Sequence, residues 1–336
     1  MYATKIKCFW MVVFSSYFIL SSAGCGEATP TIATEESAVE KLSMTGLYQD
    51  IKKGILAKGV VPFTPQFVLW TDGAKKKRWI YLPPGAKIDS SNMDVWKFPV
   101  GTKLWKEFAR DGKRVETRLL HKVKDGVGMQ GWIMVAYIWN AQLTDATISK
   151  PGGQNQGGTP HDVPSAADCT LCHGGRESVS LGFSAIQLSH NGKGMQIPTM
   201  IKEGRFTHPP KGIFKIPGNA VEREALGYLH ANCSHCHNRE NKNPHSNPLD
   251  EIQMYLHLNV GDLAKVQDTE TYKSAVRPNA TNLGPAVPGS PERSRIIRFM
   301  EANGNGDNTR MPPLGTELLD QKAITLIKSW IENIKP

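Results

Sequence analysis

The segment LWKEFARDGKRVETRLL, residues 104–120, carries the plainest fold information in this chain. Two runs with β-favouring residues flank the dipeptide Asp111-Gly112. Asp-Gly between two such runs is typical of a tight hairpin turn, because both residues tolerate the backbone angles that the turn needs. We therefore predict two antiparallel strands that meet at this dipeptide.

The same sequence pattern extends on both sides of the hairpin, from about Leu47 to Ile148. Short β-favouring runs alternate there with Gly, Pro and Asp turn residues, which predicts a β-rich domain over residues 46–150, either a sandwich or a partly closed barrel. Six of the eight tryptophans fall in this part: Trp70, Trp79, Trp96, Trp105, Trp132 and Trp139. They either pack a core or form an aromatic surface for a substrate or cofactor.

Beyond a Gly/Pro/Gln/Asn-rich linker at 151–164, the pattern becomes helical with long loops, so we expect a multidomain α+β protein. Asn219 and Glu222 form an approximate capping box at the start of one helix. Asp320 is a predicted N-cap of the last helix. An apolar stripe at helical spacing follows it: Ala323, Ile324, Ile327, Trp330 and Ile331. Gly227 and Tyr228 are expected to face the Trp330–Ile331 end of this stripe, since a small residue lets two helices cross closely.

The N-terminal residues resemble a bacterial lipoprotein signal. Lys5 and Lys7 precede the apolar run Cys8–Leu20, and SSAGC follows. This order predicts a signal peptide at 1–24, lipidation of Cys25 and a flexible tether over 25–45, which would anchor an exported protein to the outer membrane on its periplasmic side. Ser22 departs from the usual aliphatic residue. The alternatives are ordinary cleavage near Cys25 or an uncleaved anchor.

Length and charge limit the class of protein. A chain of 336 residues with 40% hydrophobic residues can form two or three domains with buried cores. Its formal net charge is +9, and loss of Lys5 and Lys7 with a signal peptide leaves +7. Export argues against nucleic acid as the reason for this charge. An acidic redox protein or an anionic membrane remains as partner.

The remaining four cysteines all lie in two copies of the pattern Cys-x-x-Cys-His. Two thiols on one turn can each add to a vinyl group on one edge of a porphyrin, and the following imidazole can then bind the iron. The pattern therefore predicts two covalently bound haem c groups. The predicted thioether residues are Cys169, Cys172, Cys233 and Cys236, and the predicted proximal iron ligands are His173 and His237.

Three other uses of the cysteines were weighed. A zinc ribbon would place its two Cys pairs about 15–20 residues apart, and here 60 residues separate Cys172 from Cys233. A redox dithiol does not need a His after each pair. An iron–sulfur cluster would need its four cysteines closer together.

The second iron has a clear candidate for its sixth ligand. Met311, followed by two prolines and a closing helix, resembles the distal Met of class I cytochromes c. Met300 is the nearest rival, but it falls in a helical core stripe. His257 is a candidate if Met311 does not serve. For the first iron no single residue stands out as the distal ligand. The candidates are Met195, Met200, His190 and His208. Alternatively, the distal face is empty or is covered by His121 or His161 from the β-rich half.

Several longer sequence segments resemble those of a known family. They include LWTDGAKKKRWIYLPPG, WKFPVGTKLWKEF, CTLCHGG, LGFSAIQLS, YLHANCSHCHN and MPPLG. With them, the chain resembles exported bacterial dihaem c-type cytochromes over nearly its whole mature length. The resemblance implies haem function at the periplasm or outer membrane. The implied segments are a first haem c segment at 165–220 and a second, cytochrome c-like haem domain at 221–336.

Three functions fit these features. The first is a lipid-anchored electron carrier whose basic surface docks an acidic redox partner. The second is a dihaem enzyme, a peroxidase or an oxidase, in which the first haem has an open or labile distal site. The third makes the β-rich half a ligand-binding module that feeds electrons through the haems.

Overall fold

The computed structural model describes residues 38–241, 253–276, 284–302, 310–313, 315 and 317–335. All of them belong to one compact unit that spans residues 32–336. The predicted signal peptide, the lipidation site Cys25 and the first part of the tether lie outside the described residues. Residues on both sides of the predicted linker are therefore parts of the same folded unit.

An antiparallel sheet of six strands forms the first half of the described chain. Its strands follow one another in sequence order, and a separate two-stranded ribbon precedes them. The ribbon consists of β1 (Tyr48–Asp50) and β2 (Ile55–Leu56). The sheet consists of β3 (Val60–Pro62), β4 (Lys75–Tyr81), β5 (Lys103–Arg110), β6 (Lys113–Lys122), β7 (Trp132–Trp139) and β8 (Ala146–Ser149).

The predicted hairpin is confirmed as the β5–β6 connection. Arg110 pairs with Lys113, and the two residues between them have positive φ angles, 49° at Asp111 and 80° at Gly112. Positive φ at both central residues matches the right-handed twist of the flanking strands, and Gly adopts it without a steric cost. A bulge at Phe108/Ala109 adds local twist beside the turn.

The two faces of the sheet are covered by different parts of the chain. One face presents the cross-strand row Trp79, Trp105, Leu119 and Val135, which packs against Leu42 and Leu47 from the N-terminal side. The opposite face presents Ile80, Leu104 and Met134, which pack against a loop-rich segment that contains Phe183 and Leu188.

The sheet is therefore an open meander, and the prediction of a sandwich or partly closed barrel is wrong in this detail. The β-favouring runs predicted the strands, but they did not show that loops and a short helix cover the second face in place of a second sheet. Five of the six tryptophans are core residues with at most 7% exposure, whereas Trp70 is half-buried.

The described helices follow the sheet, so the α+β class is confirmed. They are α1 (Cys169–His173), α2 (Ile197–Lys202), α3 (Ala220–Asn232), α4 (Glu270–Ala275), α5 (Arg295–Glu301) and α6 (Gln321–Asn333). Single-turn 3₁₀ segments occur at Leu42–Met44, Gln156–Gly158, Val260–Asp262, Val266–Asp268 and Pro291–Arg293. Among the residues that the structure describes, no helix combines the length and apolar character needed to cross a bilayer.

The capping predictions for the two longest helices are confirmed. At α3, the Asn219 side chain accepts from the Glu222 N–H and the Glu222 carboxylate accepts from the Asn219 N–H. At α6, the Asp320 carboxylate accepts from the Ala323 N–H at 3.1 Å. The predicted apolar stripe of α6 is buried in one core with α3 and α5.

Gly227 of α3 is a close-approach residue, but its partner differs from the prediction. A Cβ atom at Gly227 would overlap the ring of Phe67 from the β3–β4 connection, whereas Tyr228 packs into the core that contains Trp330. The prediction that Gly227 faces α6 is therefore wrong, whereas the prediction that Tyr228 faces α6 is confirmed.

Replacing Gly227 by Ala tests this contact, because helix propensity and steric overlap change the free energy of unfolding in opposite directions. Ala in a helix interior is favoured over Gly by about 1 kcal/mol. The overlap with Phe67 should outweigh this gain and lower the free energy of unfolding by about 2 kcal/mol in urea titrations. In the Phe67→Ala background the same substitution should cost nothing, and an equal loss in both backgrounds would contradict the contact.

Candidate haem attachment site

The first Cys-x-x-Cys-His copy forms the short helix α1. Asp168, directly before it, accepts hydrogen bonds from the N–H and the hydroxyl of Ser165 at 2.9 and 2.8 Å, which fixes the entry of the chain. Residues three apart lie on one side of a helical turn, so Cys169 and Cys172 share a face. Both thiols are free, and His173 follows on the same turn.

The second copy continues from the end of α3. The Cys233 N–H donates to the Leu229 carbonyl, and the N–H groups of Cys236 and His237 both donate to the Cys233 carbonyl, at 3.1 and 2.8 Å. Asn232, the last residue of α3, accepts from the Trp70 N–H at 2.6 Å and donates to the Val68 carbonyl at 3.1 Å. The β3–β4 connection thus holds the end of α3 in place.

The two copies, 60 residues apart along the chain, are in direct contact. The Cys236 thiol lies 3.7 Å from the Leu171 carbonyl oxygen. A Cβ atom at Gly175 would overlap the carbonyl oxygen of His235, so the two backbones touch at these positions. The structure therefore joins both predicted attachment segments in one site.

Burial controls the protonation of this site. It raises the pKa of Cys169 to about 11 and the pKa of Cys233 and of Cys236 to about 12. Thiols used as redox nucleophiles have lowered pKa values, so these cysteines differ from that class. Burial also lowers the pKa of His173 and His237 to about 4, which keeps both imidazoles neutral, as a metal ligand must be.

The two histidines fit the role of proximal iron ligands. The Nδ1–H of His173 donates to the Val179 carbonyl at 2.7 Å, which fixes the ring and leaves Nε2 as the nitrogen for a metal. The Nδ1 atom of His237 is buried without a hydrogen-bond partner of normal geometry among the described residues, although the Met254 carbonyl lies nearby. Together with the paired thiols, these imidazoles suit covalent haem.

A bare metal ion suits the site less well. Within the described ranges, no three His, Cys, Asp or Glu side chains come together as ligands for one ion. A zinc ribbon or iron–sulfur cluster needs four such ligands, whereas haem iron takes one or two from the protein.

Met311 lies on the side of the second copy. Its side chain is 38% exposed and lines a small cavity with Trp70, Tyr228 and Leu319. Tyr228 and Cys233 pack against the same hydrophobic core, so this cavity adjoins the second Cys-x-x-Cys-His segment. The rival Met300 is buried in the core with α6, as predicted, and also borders the cavity.

The four predicted distal candidates of the first haem differ in their surroundings. Met195 and Met200 are fully buried in the apolar core against which Cys169 packs. His190 uses both nitrogens, with the Thr64 carbonyl at 2.7 Å and the Gly192 N–H at 3.1 Å. His208 is exposed, and its Nδ1 lies 3.0 Å from the Thr207 hydroxyl.

Of the other three candidate histidines, two have side-chain partners and the third, His121, is half-buried on a strand. His161 is 1% exposed, and its Nε2 lies 3.0 Å from a carboxylate oxygen of Glu116. His121 is half-buried on β6. Nη1 of Arg176 lies 2.6 Å from Nδ1 of His257, and the His257 and His230 rings pack in a tilted arrangement with their centroids 4.7 Å apart.

Sequence reasoning missed several residues that the fold brings to the site. The Met129 sulfur lies 3.6 Å from where a Cβ of Gly174 would be, next to His173. His235, inside the second copy, interacts electrostatically with both His173 and His237. Arg118 and Lys106 of the sheet act on Cys172. No local pattern marks Met129, Arg118 and Lys106, because only long-range packing brings them to the motifs, whereas His235 lies within one of the motifs.

Comparison of the chain with protein-family models, with curated proteins and with solved structures found no match.

Proposed function

We propose that this protein is an exported dihaem c-type cytochrome that transfers electrons. The observation that carries the proposal is the direct packing of two Cys-x-x-Cys-His segments, each with a neutral imidazole beside its thiol pair, half-buried at His173 and buried at His237. Cys169 and Cys172 would hold one haem and Cys233 and Cys236 the other, with His173 and His237 as iron ligands. Haem c supplies a one-electron iron couple when bound.

The chain's own residues give the site the properties that electron transfer needs. Val179 fixes the orientation of the His173 ring, and Asn232 ties the second segment to the β3–β4 connection. A rigid, desolvated surrounding limits rearrangement when the charge of the iron changes. Met311, with its partly exposed thioether in the cavity beside Tyr228, is the proposed sixth ligand of the second haem.

Location and partner belong to the same proposal. A signal peptide and lipidated Cys25 would hold the protein at the periplasmic side of the outer membrane. The positive charge of the chain would attract an acidic redox protein as electron donor or acceptor.

A dihaem enzyme is the second candidate. It is favoured by the asymmetry between the two segments, since His190 and His208 have other hydrogen-bond partners while Met195 and Met200 are buried in the core. In that case the first haem would have a distal face open to peroxide or oxygen.

Haem content tests the shared premise. The purified protein should contain two haems per chain by the pyridine haemochrome assay. The variants Cys169→Ala/Cys172→Ala and Cys233→Ala/Cys236→Ala should each contain one, because each pair supplies the thioethers of a separate haem. Any other stoichiometry in the unaltered chain would refute the proposal.

Ligand binding separates the two candidates. Optical and paramagnetic-resonance spectra are recorded on the oxidised and reduced protein, with and without carbon monoxide or peroxide. Two low-spin haems that are inert to both reagents support electron transfer. A high-spin signal, with carbon monoxide bound to half of the haem, supports the enzyme.

A further inference from the structure

Three cations lie in a straight line across the sheet. Arg78 of β4 pairs in register with Lys106 of β5, and Lys106 pairs with Arg118 of β6. We call these three residues the cationic row. Directly opposed side chains in antiparallel strands lie about 5 Å apart at Cβ, and like charges there destabilise the sheet.

A fourth cation and an aromatic ring adjoin the row. The centroid of the Phe108 ring lies 5.6 Å from Nζ of Lys76, 5.0 Å from Nζ of Lys106 and 4.4 Å from Cζ of Arg118. Cation–π contacts offset part of the repulsion, but they add no negative charge. Of the protein's own groups, only acidic side chains on this face can neutralise the row.

The acidic groups do not balance these cations. Glu116 is engaged by Arg118 at 2.5 and 3.0 Å and by His161 at 3.0 Å. The charge of Asp72 favours the protonated form of Lys76, but Asp72 forms no ion pair with it and instead accepts a hydrogen bond from the Leu318 N–H. Arg78 is only 6% exposed, and no acidic side chain among the described residues pairs with it.

Burial, in part together with mutual repulsion, lowers the pKa values of three of these four cations. Burial, together with the charges of Arg78 and Arg118, lowers the pKa of Lys76 to about 7. Burial and the same arginines lower the pKa of Lys106, and burial lowers the pKa of Arg78 to about 10. A negative charge among these groups would restore their protonated forms.

The cationic row lies beside the first attachment segment. Cys169 of this segment packs against the apolar core that contains Ile80 and Leu104, the neighbours of Arg78 and Lys106 on the same sheet face. The next residues of the same sheet face, Ile80, Leu104 and Met134, are covered by the apolar core. The positive end of this face thus borders the haem attachment segment.

We infer that the cationic row binds a carboxylate or a similar oxyanion beside the first Cys-x-x-Cys-His segment. Arginine and lysine groups with unmatched charge in a desolvated site hold such anions by charge-assisted hydrogen bonds. The anion has two possible sources: a propionate of a haem attached at the site, or a small oxyanion from solution. The first source rests on the proposed function, whereas the second requires only the fold.

The experiment compares three variants of the purified holoprotein. Arg78→Gln and Lys106→Gln remove members of the row. Lys77→Gln is the matched control, because Lys77 lies between Lys76 and Arg78 on β4 but is exposed and faces Glu107 on the other side of the sheet. Arg78→Gln should fold at least as well as the unaltered protein, since it removes repulsion without breaking an ion pair. Haem content is measured first for each variant.

Formate titrated by calorimetry reports a site for free oxyanions. Saturable binding that Arg78→Gln weakens by about tenfold, and that Lys77→Gln leaves unchanged, assigns the row to an anion from solution. If formate does not bind, the reduction potential is measured from pH 5 to 8. A pH-dependent potential that appears in Arg78→Gln and Lys106→Gln, but not in Lys77→Gln, assigns the row to a propionate, because a carboxylate without its cations titrates in this range.

The absence of both effects would overturn the inference. A haem count other than two per chain would instead refute the proposed function, and formate binding would still report on the row. The two failures are therefore distinguishable.

Discussion

Replacing Gly175 by Ala is expected to lower the free energy of unfolding by about 3 kcal/mol. The new Cβ atom would overlap the carbonyl oxygen of His235 in the second attachment segment. Both partners of this contact belong to the backbone, so a change of side-chain rotamer cannot relieve the overlap. One of the two segments has to move, and the packing that joins them has to loosen.

Urea unfolding of the holoprotein, followed by circular dichroism, measures this loss. Gly212→Ala is the matched control, because a Cβ atom there meets nothing within 4 Å. It should shift the free energy of unfolding by no more than about 0.5 kcal/mol. Equal stability of the two variants would show that the segments are not in contact at Gly175.

Replacing Glu116 by Gln is expected to cost about 3–5 kcal/mol, the usual loss when one partner of a buried ion pair is removed. The Glu116 side chain is fully buried beside Arg118 and His161. Although burial opposes its ionisation, the charge of Arg118 and the hydrogen bonds from both neighbours lower the pKa of Glu116. Its loss would leave the cationic row and Lys76 without their closest negative charge.

The midpoint of thermal or urea unfolding checks this expectation. Glu203→Gln serves as control, since Glu203 forms an exposed pair with Arg205 at 3.1 Å. Such surface pairs contribute about 0–1 kcal/mol, so the control should remain close to the unaltered protein. A loss for Glu116→Gln no larger than that of the control would mean that Glu116 does not neutralise the row.

Local sequence patterns predicted the elements whose causes are local. Asp111-Gly112 determined a hairpin because both residues accept positive φ angles, and Asn219 and Asp320 determined helix starts because their side chains reach the backbone within three residues. The two Cys-x-x-Cys-His patterns predicted the thiol and imidazole sets in the same way. In each case the interacting groups lie within one turn of the chain.

Patterns failed where a partner is distant in sequence. Gly227 was expected to meet the last helix, but it meets Phe67, 160 residues earlier in the chain. The β-favouring runs predicted a β-rich domain, but they could not show that loops cover one face of its sheet. A spacing pattern records which side of an element is apolar, but it does not record which segment covers that side.

The sequence by itself determined the strand hairpin, the helix caps and the set of thiol and imidazole groups in each Cys-x-x-Cys-His segment, because residues close together in the chain set all of these. The tertiary structure alone decided that the two segments touch at Gly175 and His235 and that the cationic row lies beside Cys172. These contacts join residues more than 50 positions apart, and their energies come from burial and long-range charge, which depend on the folded chain as a whole.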